Sequence, residues 1–286
     1  MKFPLIKLRP HRIVTKPQGG AKKGKKLLIF TIEKRQKFVL AVVILSAILF
    51  LSEFQFGKYG VIVALFMAII SNVFLYWAVR EDIKDNFSWS IFILPLFFSL
   101  SFALFYFLIP GRLLFRLLLT SLYAFGLYSL YLSQNIFIVS SIRTIALLSG
   151  ARIVSFVVTL ISYFFLTNTL YALHLHIIPT LFILAIYTFL LTYQSIWTYT
   201  LQKSPHPIKQ WVGGITLCIV EAAALLWFWP SSPTVIALFL TGFLYTLVGL
   251  SHVWLEKRLF RGVLWEYVWV GVTVFFVLVG FTSWGR

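Results

Sequence analysis

The sequence has few acidic residues and a single cysteine. Of its 286 residues, eight are Asp or Glu, and charged residues of both signs make up 12% of the chain, whereas hydrophobic residues make up 60%. This composition excludes a soluble globular domain, in which about a quarter of the residues are charged. The lone Cys218 excludes an intrachain disulfide, a two-cysteine redox site and a metal cluster held by thiolates of this chain.

Long stretches of the chain carry no formal charge. Residues 117–142 and 153–202 contain no Asp, Glu, Lys or Arg. Because about 20 apolar residues in a helix cross a hydrocarbon core about 30 Å thick, the pattern predicts an all-α polytopic integral membrane protein whose transmembrane bundle, residues 38–283, has nine helices with short outer hairpin turns. Breaks at charge runs and at Pro and Gly place the helices at about 38–55, 59–79, 89–110, 113–133, 151–173, 177–201, 211–229, 233–254 and 264–283.

One segment between the predicted helices is ambiguous. Residues 136–150 are too short to span, and Arg143 interrupts them. We expect them to form either an interfacial helix capped by Asn135 or an extension of helix five.

The basic residues concentrate at the start of the chain. Residues 1–37 hold twelve of the 25 Lys and Arg and one acid, Glu33, together with several Pro and Gly. This composition predicts a largely disordered cytoplasmic arm. Basic segments beside a first membrane helix bind anionic lipid headgroups, whereas nothing here predicts specific nucleic-acid binding. The residues expected to contact headgroups are Lys22, Lys23, Lys25, Lys26, Lys34, Arg35 and Lys37.

The remaining charges predict an orientation. With nine helices, 21 of the 25 basic residues fall on the side of the arm and three on the other side. Because Lys and Arg accumulate in cytoplasmic loops, the amino terminus is predicted inside and the carboxyl terminus outside, in a bacterial-type plasma (inner) membrane. The ten tryptophans all fall near predicted helix ends, where an amphipathic ring prefers the interface.

Glu221 is the acidic residue whose position most needs a reason. It falls near the middle of predicted helix seven, where an acid costs about 2.5 to 3.5 kcal/mol on insertion scales. Two readings stay open: a protonated carboxyl hydrogen-bonded to a neighbouring helix, and a buried acid that couples transport to protons or cations. Asn72, an amide within helix two, is the second candidate polar contact.

Four polar residues are predicted near the outer surface: Glu53, Arg116, His174 and His176. They fit an ion pair between helices, an Arg116 that reaches the headgroups, or a site where Arg116 holds a lipid phosphate while a histidine moves a proton. The His-Leu-His spacing would place the two imidazoles on different sides of a helix, so we expect no metal site. No cofactor motif occurs, and we expect no cofactor.

Three functions remain open from the sequence. The first is a carrier of a small or lipid-like solute with Glu221 as its buried coupling acid. The second is a non-catalytic scaffold or assembly subunit, with a lipid-binding arm and a protein partner in the membrane. The third, ranked below both, is an enzyme acting on a lipid through the outer residues or through Asp82 and Asp85.

Overall fold

The computed structural model describes six stretches of the chain: residues 34–56, 59–83, 88–108, 113–140, 146–201 and 206–282. Within these stretches lie nine helices, each long and apolar enough to span a membrane. They are α1 (Lys34–Phe56), α2 (Gly60–Ile83), α3 (Ser90–Leu108), α4 (Leu113–Ser140), α5 (Leu148–Ala172), α6 (Ile177–Thr200), α7 (His206–Trp227), α8 (Pro233–Leu255) and α9 (Arg261–Gly280). The prediction of an all-helical chain with nine such helices is confirmed for the described stretches, as expected of an integral multi-pass membrane protein.

Two predicted boundaries differ most from the structure, and both differences have local causes. Residues 136–150 are not one element, because their first residues end α4 at Ser140 and their last residues begin α5 at Leu148. The apolar residues after Asn135 continue the helix, so Asn135 lies within α4 and caps nothing. Helix α7 begins at His206, earlier than expected, because Pro207 fits the first turn of a helix, where no backbone N–H is needed.

The basic arm is shorter than the charge run suggests. Lys34, Arg35 and Lys37 belong to the first turn of α1, whereas the rest of the arm lies outside the described residues. Lys34 Nζ donates to Asp82 Oδ1 over 2.6 Å, and Lys37 Nζ lies 5.3 Å from the centre of the Trp77 ring. Two residues expected to meet headgroups therefore contact the end of α2.

Helix α5 occupies the centre of the bundle, which consists of residues 33–286 as one compact unit. It packs against α3, α4, α6 and α8, and 61% of the residues in its apolar span are buried, against 6% for α9. Helix α9 packs on α8 at the edge. The centre of the bundle is therefore the place where a polar group is shielded from lipid.

Close packing of α9 on α8 depends on two glycines. A Cβ on Gly249 would lie 2.3 Å from Tyr267 Cε1, and one on Gly242 would lie 2.6 Å from Val274 Cγ2. Neither space admits a methyl group unless the Tyr267 or Val274 side chain, or α9 itself, shifts. Small residues commonly allow membrane helices to approach in this way.

Candidate functional site

Buried polar side chains gather at one end of α5, α6 and α8. We call it the inner end, after the predicted orientation; α1, α3, α5, α7 and α9 begin there. The opposite end is the outer end. The polar side chains that meet at the inner end are called the inner polar site, and they are Arg152, Ser155, Gln194, Ser195, Tyr199, His252 and Glu256.

Helical spacing in α5 explains part of this arrangement. Arg152, Ser155, Thr159 and Ser162 are three or four residues apart, so they share one face of the helix. Two of these hydroxyls need no partner on another helix, because Thr159 Oγ1 donates to Ser155 O and Ser162 Oγ to Val158 O, each over 2.8 Å. The sequence therefore gives α5 a polar stripe directed into the bundle.

His252 is fixed among aromatic and hydroxyl groups. Its Nε2 lies 3.2 Å from Ser195 Oγ. The imidazole stacks on the Tyr199 ring, with centroids 4.0 Å apart and planes 15° apart, and it meets Phe156 edge-on at 4.9 Å. The residue is 4% exposed. These contacts hold one ring nitrogen against Ser195 and seal the imidazole from its surroundings.

Arg152 closes the site at the inner end. Its Nε donates to Thr198 O over 3.1 Å and its Nη2 to Tyr199 O over 3.3 Å. These carbonyls belong to the last turn of α6, where the helix itself supplies no donors. Arg152 Nη1 also donates to Glu256 Oε1 over 3.4 Å, and the guanidinium carbon lies 4.7 Å from the centre of the Tyr199 ring. Arg152 thus joins α5, α6 and the end of α8, and Glu256 balances its charge.

Some hydrogen-bonding capacity in this interior is unused by the described residues. The amide of Gln194 is fully buried; its Nε2 donates to Ser155 Oγ over 3.4 Å, but its Oε1 has no partner among them. The same holds for Thr192 Oγ1 and for both amide atoms of Gln134, on the neighbouring α4. Buried polar atoms in proteins are nearly always hydrogen-bonded. Each unmatched atom could accept or donate a further hydrogen bond to a polar ligand or water.

Polar pairs continue from this site toward the outer end. Thr188 Oγ1 on α6 donates to the Tyr163 hydroxyl on α5 over 3.4 Å. Farther along, Thr167 Oγ1 lies 2.8 Å from the Tyr187 hydroxyl. All four residues are buried. The contact between α5 and α6 is therefore lined with hydroxyl groups along much of its length.

Glu221 does not join this interior. Its side chain is exposed on α7, so the prediction of a buried acid is wrong. Glu221 is exposed because it lies on the side of α7 opposite to the face that packs on α6 and α8. The residues of the packed face are Ile208, Val212, Ile215, Ile219, Ala223 and Leu226.

Asn72 lies in a different place, on α2. It lines an apolar groove of about 450 Å³ between α2 and α3, together with Tyr76, Trp89 and Phe92. Its Oδ1 is buried and has no partner in the part of the chain that the structure describes. The groove opens at the side of the bundle and does not belong to the inner polar site.

The structure describes the side chains of three of the four outer residues, so the assembly of all four into one site stays a prediction. His174 and His176 are both exposed in the turn between α5 and α6, and His174 takes a left-handed backbone conformation with φ 47° that ends α5. Arg116 is half-buried on α4, and the side chain of Glu53 lies outside the described residues. Lys22, Lys23, Lys25 and Lys26 also lie outside them. In the described ranges, no three His, Cys, Asp or Glu side chains are grouped as metal ligands.

The chain matches one family over most of its length. Residues 39–281 match the family model described as a protein of unknown function, DUF5656. The chain belongs to the DUF5656 family. The match begins inside α1 and ends just after α9, so the whole inner polar site lies within the DUF5656 region. Neither the curated proteins nor the solved structures gave a match.

Sequence reasoning missed the main polar residues of this DUF5656 bundle. Arg152 and Glu256 lie at helix ends, where charges are expected in any membrane protein, so neither position marks a site in the sequence. The useful signal was the spacing of polar residues within the apolar spans. It would have drawn attention to α5 first, although not to His252 on α8.

Proposed function

We propose that this protein is a multi-pass membrane carrier of a small neutral polar solute and that the inner polar site binds this solute. The observation that supports the proposal is the fully buried Gln194, whose Oε1 has no partner among the described residues. Ionisable and polar groups inside membrane bundles commonly mark substrate pathways, because their cost must be balanced by a function.

The charges of the site favour a neutral solute. Arg152 pairs with Glu256, which also lies 3.9 Å from Nη1 of the exposed Arg258, so each charged group of the site already has a charged partner. What remains are the Gln194 amide, the Ser195 hydroxyl and the His252 imidazole. These groups donate and accept hydrogen bonds without net charge, which suits hydroxyl or amide compounds.

The burial of the site favours a carrier over an open pore. Gln194, Ser195 and His252 are 0%, 2% and 4% exposed. A solute reaches such a site through a change of conformation, as in carriers that alternate between inward and outward access. Opening at the inner end would break the ion pair between Arg152 and Glu256, which joins α5 to the end of α8.

The proposed location is a bacterial-type plasma membrane with the amino terminus inside. This part of the proposal depends on charge placement, since 21 of the 25 basic residues fall on the side of α1's first turn. The inner polar site would then face the cytoplasm. The three basic residues that begin α1 and the arm before them would lie at the anionic cytoplasmic surface.

Osmotic swelling of proteoliposomes tests the function directly. Vesicles are mixed with hyperosmotic urea, glycerol or erythritol, and their re-swelling is followed by light scattering. We expect the wild-type protein to accelerate re-swelling for at least one solute. Gln194→Leu should slow this rate about tenfold, the effect of losing about 1.4 kcal/mol of hydrogen bonding to the solute.

A matched variant separates the site from general membrane effects. Thr273 lies on the exposed face of α9, and its hydroxyl donates to Trp269 O within its own helix. Thr273→Val should leave the rate unchanged. Re-swelling no faster than in protein-free vesicles for all three solutes would overturn the proposal, as would equal rates for the wild type and Gln194→Leu.

A further inference from the structure

The exposed face of α7 combines features that a lipid-facing surface does not need. Its exposed residues include Gly214, Leu217, Cys218, Glu221 and Leu225, which follow one another at helical spacing. Helix α7 contacts α6 and α8 through its opposite face. The exposed stripe therefore points away from the rest of the chain.

Glu221 lies well inside the apolar span of α7. The span runs from Ile208 to Trp227, and Glu221 is about 9 Å of helical rise from Trp227. No hydrogen bond or ion pair to Glu221 exists within the described residues. Lys209, the one lysine of α7, lies more than three turns away toward the inner end, and His206 lies farther still. A carboxyl group here would face hydrocarbon without a partner, which is costly.

The exposed face of α9 is a comparison for the exposed face of α7, because it carries the apolar side chains that contact with lipid favours. Helix α9 is the least buried of the described helices, and the part of its exposed face toward the outer end carries Phe275, Phe276 and Val279. This surface is apolar, so contact with acyl chains satisfies it. The α7 stripe differs because it presents a carboxyl group at a similar distance along the helix.

We infer that α7 packs against α7 of a second copy of this chain, with the two Glu221 carboxyls hydrogen-bonded across a two-fold axis. In a symmetric dimer the same surface patch serves both subunits, so a residue near the axis meets its own copy. A protonated carboxyl has one donor and free acceptor capacity. Two such groups, or one protonated and one ionised, satisfy each other without any other residue type.

Small residues on the same stripe permit the close approach that this pairing needs. A Cβ on Gly214 would meet nothing within 4 Å, and Cys218 follows it by four residues, one helical turn closer to Glu221. Small residues spaced by four are typical of membrane helices that pack tightly together. Glu221, Gly214 and Cys218 thus share the exposed face of α7, and a single helix packed there would contact all three.

Cys218 makes the contact measurable without further engineering. It is the only cysteine of the chain, and it is exposed. Since it lies three residues from Glu221 on the same face, the two Cys218 side chains of the dimer fall near the axis. Oxidation of membranes that contain the full chain with copper phenanthroline should therefore produce a disulfide-linked species of twice 33.0 kDa, which a reducing agent dissociates.

The matched control places a cysteine at the corresponding position of α9. Thr273 lies as far from the first residue of α9, Arg261, as Cys218 lies from the first residue of α7, His206, and both are exposed. Thr273→Cys in a Cys218→Ser background should give little or no cross-linked dimer. Equal yields from the two positions would mean random collision and would overturn the inference.

Substitution of Glu221 tests the polar contact itself. Glu221→Leu should weaken dimerisation in detergent about tenfold, because one interhelical hydrogen-bonding pair is lost, whereas Glu221→Gln should keep most of it through amide pairing. Mass photometry over a dilution series measures both. A wild-type chain that is monomeric throughout, an unchanged dimer in Glu221→Leu, or a Cys218 adduct with a different protein would each overturn the inference.

Discussion

The inner polar site and the exposed face of α7 both carry polar groups, and the surroundings of those groups differ. In the inner polar site, Arg152 is tied to Thr198, Tyr199 and Glu256, and His252 is held by Ser195 and by stacked rings. On α7, Glu221 has no such contacts among the described residues. The inner site is supported by its own chain, whereas the α7 stripe calls for a neighbour.

This contrast separates two meanings of a polar residue in a membrane helix. Contacts within the same chain can offset the desolvation cost of a polar residue in the centre of the bundle. Such a residue can then bind a solute. A polar residue on the outer face cannot be satisfied in that way, so it indicates assembly. Substitution of a residue of the first kind should change the free energy of unfolding of one chain. Substitution of a residue of the second kind should change the association of chains.

The largest effect on stability is expected at Arg152. Arg152→Ala leaves two carbonyls of α6 and the Glu256 carboxylate without their donor, which should lower the free energy of unfolding by roughly 2 to 3 kcal/mol. Tryptophan fluorescence during thermal unfolding in detergent measures the loss. Arg152→Lys keeps the charge but not the forked donors, and it should recover less than half of the difference. Unaltered stability in Arg152→Ala would show that the inner polar site does not stabilise the chain. The contrast between this site and the exposed face of α7 would then be wrong.

A smaller effect, of opposite sign, is expected at Gln194. Gln194→Leu replaces an incompletely bonded buried amide by an apolar group of similar size, so the free energy of unfolding should stay constant or rise by up to about 1 kcal/mol. The same variant is expected to lose solute permeation. Stability that falls by more than about 1 kcal/mol would show that the amide is well bonded in the protein, and the interior would then hold no unused hydrogen-bonding capacity.

The smallest effect on a single chain is expected at Glu221. Because its side chain is exposed and forms no hydrogen bond or ion pair among the described residues, Glu221→Leu should change the unfolding of dilute, monomeric protein by less than about 0.5 kcal/mol. Thermal unfolding at concentrations below dimerisation checks this value, with Arg152→Ala measured alongside. A loss as large as that of Arg152→Ala would place Glu221 inside the folded unit and reverse the comparison.

The nine apolar spans were predictable because their length and their charged or proline-rich boundaries follow from the bilayer itself. Which face of each helix is buried in the bundle was not predictable. In a soluble protein the hydrophobic face is the buried one, but in a membrane both lipid and core are apolar, so hydrophobicity does not say which way Glu221 points. The inner polar site escaped prediction because it depends on three helix ends, those of α5, α6 and α8, which meet only in the folded bundle.

The two glycines that seat α9 on α8 also bear on how the chain is made. Since α9 is the last of the described helices to be synthesised and is 6% buried, the other helices can assemble before it arrives, and Gly242 and Gly249 leave a strip of α8 open to receive it. A change that kept α9 from docking would leave the strip of α8 beside Gly242 and Gly249 uncovered.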